Sequence, residues 1–249
     1  MDMEQELRSR LEAVQARVAA AARQVGRDPA EVQIVAVSKT VPAERVAALA
    51  RLGIWQFGEN RVEEAEAKIP DVRALLGEDL AHRISWYLVG HLQSRKAARA
   101  LDVFDEVHSV DTVRLAARLD RLAAAQGRRL PVLLEVNISG EATKYGLPAG
   151  SWPHDRKQAA VLYAQIEAIL SLPHLNVRGL MTVAPLTSDP EAVRPVFRRL
   201  RELRDALAGR WPGHALPVLS MGMSDDYEVA VEEGATMIRL GRAIFGPRL

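Results

Sequence analysis

Val32-Gln33-Ile34-Val35-Ala36-Val37 is the stretch on which the fold turns. It is apolar, rich in β-branched side chains, too short for a helix, and it ends on the polar trio Ser38-Lys39-Thr40. A strand that is apolar on both faces belongs in a parallel sheet covered on both sides by helices. Upstream, Leu7, Leu11, Val14, Val18 and Ala21 recur at three- and four-residue steps. That spacing predicts an amphipathic helix over about 4–25, ending near Gly26.

Downstream the two patterns alternate. A helix over 42–51 leads to a short strand at 55–57, and a helix from 61 leads to a strand at 84–89. A helix from 94 precedes a weaker strand at 106–109, and a helix over 112–125 precedes the clearest strand, 131–137. Helices over 155–170, 190–208 and 225–233 then precede strands at 176–181, 217–219 and 236–240. Eight strands separated by helices predict parallel strands joined by right-handed crossovers. The fold expected is α/β, a single (β/α)8 TIM-type barrel over 1–249 with an extra N-terminal helix; the rival on pattern alone is an open doubly wound sheet. No repeat, low-complexity stretch or linker interrupts the chain. The segment 140–154, rich in Gly, Pro and Ser, is the longest expected loop and a candidate lid.

Composition narrows the function classes. Thirty-three basic and 32 acidic residues give a formal net charge of +1, no footprint for nucleic acid or an anionic membrane. The basic run 194–204 alternates with Leu and Val as a solvated helix face would. There is no cysteine, which excludes disulfides, thiolate catalysis and Cys-based metal sites. The six histidines are scattered without metal-ligand spacing, so no metal is expected. Asp2, Glu4 and Glu6 do not begin a signal peptide, and no apolar run reaches membrane-spanning length. The expected compartment is the cytoplasm.

In a barrel of this kind, chemistry concentrates just after each strand, at the C-terminal face. Those positions read Ser38-Lys39-Thr40, Gly58-Glu59-Asn60-Arg61, Gly90-His91-Leu92-Gln93, His108-Ser109, Asn137-Ile138-Ser139, Met181-Thr182, Ser220 to Ser224, and Gly241-Arg242. Lys39 ends an apolar strand, where desolvation would lower its pKa toward the free amine that forms imines. The plainer alternative is a lysine that snorkels from the rim or pairs with a carboxylate. Arg239 ends strand eight, which adjoins strand one in a closed barrel. Two neighbouring cations call for an anion or an electron-rich ligand between them; the alternative is an Arg239 paired to Glu135. The loops after strands seven and eight, with Ser220, Gly222, Gly241 and Arg242, suit a phosphate. Ser224 and Asp225 are expected to cap the next helix, with Glu228 completing the arrangement. Asn60 reads as a helix cap or a site residue, and His91 as a rim histidine.

These segments resemble the pyridoxal-phosphate homeostasis protein family, relatives of the N-terminal barrel of alanine racemase that bind pyridoxal 5′-phosphate (PLP). The matching stretches are Val35 to Thr40, Phe57 to Arg61, Trp86 to Gln93, His108 to Asp111 and Val136 to Ser139. They continue with Lys144-Tyr145-Gly146, Arg178 to Met181, Leu219 to Asp225, Ile238 to Gly241 and Ala243 to Gly246. The resemblance implies PLP as cofactor, held as a Schiff base on Lys39, with Arg239 facing the pyridine nitrogen. It implies Ser220 and the backbone at Gly241 and Arg242 on the phosphate, Asn60 and Met181 around the ring, and Lys144 as a secondary contact. Position 242 is often a small hydroxyl residue in the family, where Arg242 instead offers a charged contact or faces solvent. An arginine, permanently protonated, cannot hand a proton to the pyridine nitrogen, which leaves the cofactor a poorer electron sink.

Three functions follow as expectations. The first is a PLP carrier in vitamin B6 and amino-acid homeostasis, without robust turnover, a monomer whose partners are PLP and apo PLP-dependent enzymes as recipients. The second is an amino-acid racemase, which needs a second acid/base opposite the lysine; racemases of this barrel type supply a tyrosine from a β-rich domain, for which the chain after Gly246 leaves no room. Among its four tyrosines, Tyr145 in the candidate lid is the nearest substitute. The third is a barrel binding another phosphorylated metabolite without an imine.

Overall fold

The opening stretch forms β1 (Gln33–Val37), whose last residues are fully or nearly fully buried. The computed structural model describes residues 2–247. Seven more strands follow in the expected order: β2 (Gln56–Glu59), β3 (Ser85–Leu88), β4 (Glu106–Val110), β5 (Leu130–Asn137), β6 (Leu175–Met181), β7 (Val218–Ser220) and β8 (Met237–Leu240). Each pairs in parallel with the next, and β8 pairs with β1, Arg239 opposite Val35. The sheet therefore closes into an eight-stranded parallel barrel, and the open-sheet alternative falls away.

The helices carry the expected apolar stripes. Helix α1 (Met3–Gln24) buries Leu7, Leu11, Val14 and Val18. Around the barrel run α2 (Ala43–Arg51), α3 (Val62–Leu76), α4 (Ala97–Val103), α5 (Val113–Ala125), α6 (Arg156–Leu170), α7 (Arg194–Arg210), α8 (Tyr227–Glu232) and the single turn α9 (Arg242–Phe245). Helix α1 packs on α2, α8 and α9, tying the seam of the barrel from outside.

Two helices begin later than expected. Residues 190–193 wind as a 3-10 turn before α7, because Pro195 has no amide hydrogen to donate and sits best in a first turn. The last long helix starts at Tyr227, not 225, and Asp226 rather than Asp225 stands at its N-cap. The candidate lid is also less loose than its composition suggests: Leu147–Pro148 pairs in parallel with Val136 and Asn137.

Inside the barrel, Val35, Tyr87, Leu133, Met181, Val218 and Met237 pack into one cluster. Side chains alternate across a strand, so the residues two further along each strand point inward one layer higher. That layer holds Val37, Val89, Glu135, Val183, Ser220 and Arg239. It is the floor of the C-terminal mouth, and Lys39 stands one step above it. Among the described residues no helix is long and apolar enough to cross a membrane, and no group of three or more His, Asp or Glu is placed to hold a metal ion.

Candidate functional site

A cavity of about 650 Å³ opens at this mouth, between the ends of β1, β2 and β8 and the loops after β6 and β7. Of the seven residues singled out in the sequence, Lys39, Asn60, Arg239, Gly241 and Arg242 line it. Val37, Val89 and Val183 add an apolar wall. Ser220 and Met181 are fully buried just outside the lining: Ser220 in the floor layer, Met181 in the packed cluster beneath. The size is within the range that takes a small organic ligand.

Arg239 is the unusual group. It is 5% exposed, and its guanidinium donates to Ser220 Oγ at 2.7 Å and to the Thr182 carbonyl at 2.7 Å, both neutral oxygens. No carboxylate of the described residues lies within ion-pair distance, so the expected alternative of an Arg239–Glu135 bridge is not made. Burial pulls its pKa down to about 10, against the attraction of the more distant Glu135 and Asp226. Glu135 is pushed up to about 7 by burial, with the negative charge of Asp111 adding to the shift and Arg239 offsetting part of it. A buried cation facing a cavity, hydrogen-bonded among the described residues to neutral oxygens, leaves room for an electron-rich ligand atom.

Lys39 is held by its neighbours on either side. Lys68 of α3 donates to the Ser38 carbonyl at 2.6 Å, to Glu59 Oε1 at 2.7 Å and to Glu64 Oε1 at 3.0 Å. Ser38 Oγ donates to Glu59 at 2.7 Å, and the Thr40 amide donates to Glu64. Thr40 adopts φ +62°, left-handed backbone that a β-branched residue rarely takes. Burial raises the pKa of the fully buried Glu59, with Lys68 and Ser38 offsetting part of that cost.

This network was not foreseen. The sequence puts Glu59 in a rim loop, whereas β2 runs on through it and turns it outward against α3. Its only signal is an acid nine residues before a lysine that sits on the buried side of a helix.

The loops after β7 and β8 meet at the far wall. Ser224 Oγ accepts from the Ala243 amide at 3.1 Å, joining the two loops rather than capping α8. Asp225 accepts from Arg242 at 2.5 Å across an exposed pair, and Asp226 Oδ1 instead accepts from the Met223 amide at 2.6 Å. Gly222 is required here: at φ +94°, a Cβ would stand 2.6 Å from the Ala230 Cβ. Asn60 does not cap α3, whose N-cap is Arg61; its backbone lies so close to Gly90 that a Cβ there would meet the Asn60 carbonyl at 2.4 Å.

The long loop lies across the opposite side of the mouth. Lys144 donates to the Val183 carbonyl at 3.0 Å and pairs with Glu141, while the Tyr145 ring stacks on His91, centroids 3.7 Å apart. His91 Nδ1 lies 3.1 Å from Asp111 Oδ2. One Arg199 nitrogen donates to the carbonyls of Ala149, Gly150 and Trp152 at 2.7–3.0 Å, fixing the loop's far end to α7.

A closed parallel barrel with a lysine at the end of its first strand and an arginine at the end of its eighth defines a class, and the match to known proteins agrees with it. The family model "Alanine racemase, N-terminal domain" matches residues 9–248. Within that class the chain belongs to the pyridoxal phosphate homeostasis protein family. It is 41% identical over 235 residues to the protein of that name from Pseudomonas aeruginosa, covering 94% of this chain and 93% of the relative. It is 38% identical over 239 residues to the one from Aquifex aeolicus, covering 96% and 97%. Among solved structures, PipY of Synechococcus elongatus with PLP bound superposes with a TM-score of 0.80 at 35% identity, covering 96% of this chain and all of that one. Alanine racemase of Clostridium difficile shares the fold, with a TM-score of 0.69 at 14% identity; it covers 98% of this chain but only 57% of the racemase.

Proposed function

We propose that this protein binds PLP in intracellular PLP and amino-acid homeostasis, holding it as a Schiff base on Lys39 without robust turnover. The observation that carries the reading is Arg239. It is buried in the floor of a cavity whose rim holds Lys39, and among the described residues its hydrogen-bond partners are the neutral oxygens of Ser220 and Thr182. PLP supplies an aldehyde that condenses with a primary amine and a ring that withdraws electrons from the bonds around the resulting imine.

Each residue then has a task. Lys39 supplies the amine from above the floor. Arg239 donates toward the ring nitrogen and, still protonated at neutral pH with its pKa lowered to about 10, passes no proton to it. The far wall takes the phosphate through the backbone at Gly241 and Arg242. Ser220 keeps its own O–H to donate while accepting from Arg239, and Ser224 adds a second hydroxyl at the cavity wall. Asn60 flanks the ring and Met181 supports it from the layer beneath. The solved structure of PipY with PLP bound, a relative aligned over 96% of this chain, supports PLP as the ligand.

A racemase needs an acid/base opposite Lys39. Tyr87 belongs to the packed cluster below, Tyr163 accepts from Trp152 behind the barrel wall, and Tyr227 lies in α8. Tyr145 is stacked on His91 outside the cavity lining. That placement favours a carrier over a racemase; the proposal adds a monomer in the cytoplasm that passes PLP to apo-enzymes. The test is the visible absorption of protein mixed with PLP. A band is expected, lost in Lys39→Ala although that variant folds; no band in the parent protein would overturn the reading. Sustained α-proton exchange of L-alanine in deuterated buffer would turn it toward a racemase.

A further inference from the structure

We infer that Lys68, Glu59 and Glu64 form a clamp that holds the turn at Ser38–Thr40 and thereby aims Lys39 into the cavity, making them positioning residues for imine formation. The inference rests on the reading of Lys39 as the amine that holds PLP.

The geometry is specific to that task. Inward-facing Lys39 is flanked by two residues whose backbones are fixed from the outer side of the barrel. Before it, the Ser38 carbonyl accepts from Lys68 at 2.6 Å and from the Val41 amide at 2.9 Å, and its hydroxyl reaches Glu59 at 2.7 Å. After it, the Thr40 amide donates to Glu64, which also receives Lys68 at 3.0 Å. The Lys68 side chain is 9% exposed and Glu59 is fully buried, so neither is a chance surface contact.

Thr40 gives the clamp something to hold. With φ +62°, a threonine left to itself relaxes toward extended or right-handed backbone, and that rotation carries the Lys39 side chain with it. A glycine at the same place adopts positive φ without a steric penalty. The barrel register supplies the rest: Val37 pairs with Gly58, so Ser38 and Glu59 arrive side by side, facing α3. Of this arrangement only the turn itself, Lys39 and Thr40, lines the cavity; Lys68, Glu59 and Glu64 stand behind it. Its effect on a ligand passes through the direction of one lysine.

The test separates direction from bulk stability. Glu64 is the residue to change, because its side chain is 25% exposed, whereas Lys68→Met would strand the buried Glu59. Apo-protein is titrated with PLP by visible absorption, and hydrogen exchange of the Thr40 amide is followed in the apo form. Glu64→Ala is expected to weaken PLP binding at least fivefold and to speed Thr40 exchange, with little change in the thermal midpoint. Glu64→Gln, which keeps an acceptor for the Thr40 amide, should stay within twofold of the parent. Thr40→Gly combined with Glu64→Ala should recover most of the lost affinity, because the strain is gone. If Glu64→Ala does not fold but the double variant folds and binds, the clamp stands equally. Parent-like affinity in Glu64→Ala, or a double variant no better than the single one, overturns it. Loss of the band in Lys39→Ala shows that the underlying reading holds even then; a band that survives in Lys39→Ala overturns both.

Discussion

Replacing Arg239 with methionine should damage ligand binding while leaving the empty protein nearly as stable as before. The guanidinium is buried, and burial lowers its pKa from 12.5 to about 10. That shift corresponds to a cost of about 3 kcal/mol, at neutral pH, for keeping the cation inside the folded apo-protein. Methionine removes the cost and fills much of the same volume. Against this, the two hydrogen bonds to Ser220 and Thr182 disappear. The Ser220 hydroxyl can turn to another acceptor, but the Thr182 carbonyl loses its donor, a penalty of about 1–3 kcal/mol. The opposing quantities nearly cancel, so unfolding of the apo-protein by urea should shift by no more than about 2 kcal/mol. PLP affinity, read by absorption or fluorescence titration, should fall at least tenfold, equivalent to about 1.4 kcal/mol, with a shifted band where the complex still forms. Apo stability reduced by more than about 4 kcal/mol with unchanged PLP affinity would show that Arg239 is a structural residue and refute the reasoning.

Three further perturbations follow from the same geometry. Glu135→Gln should stabilise the protein at alkaline pH and not at acid pH. A carboxyl raised to about 7 retains its proton in the folded state while the unfolded chain has lost it, so folding stability drains away between about pH 4.5 and 7. The amide avoids that loss, a gain of up to about 3 kcal/mol at pH 8 and close to none at pH 4, checked by denaturation at both. Arg199→Ala should cost about 1–3 kcal/mol and open a new proteolytic cleavage site within 138–155, because three carbonyls of the loop share that one donor. Gly179→Ala should prevent folding or lower the thermal midpoint by many degrees, since its Cβ would lie 1.9 Å from the Val218 carbonyl across the β6–β7 pairing.

The alternation of short apolar runs with amphipathic segments was enough to place all eight strands, because a strand covered on both faces has no polar face to confuse the pattern. Element edges were less legible. Pro195 postponed one helix by its missing amide hydrogen, and Asp226 stands at the N-cap expected of Asp225, its carboxylate accepting from the Met223 amide of the preceding turn and not from a helix amide. In the site, Lys39 and Arg239 could be read from their positions at strand ends. The clamp behind Lys39 could not: Ser38, Glu59 and Lys68 are joined by the register of β1 on β2 and by the face α3 buries, neither of which any local spacing records. Glu135 was visible as a lone acid in an apolar strand. Its distance from Arg239, and hence its role as a buried acid only partly offset by that cation rather than an ion-pair partner, depended on the barrel's layers.

The central claim is that one amine, Lys39, carries the cofactor. Protein loaded with PLP, reduced with borohydride and digested should yield a single dominant pyridoxyl-modified peptide spanning Lys39, with the Lys39→Ala protein giving none above background. Modification spread over surface lysines, or an adduct retained in Lys39→Ala at parental yield, would contradict it.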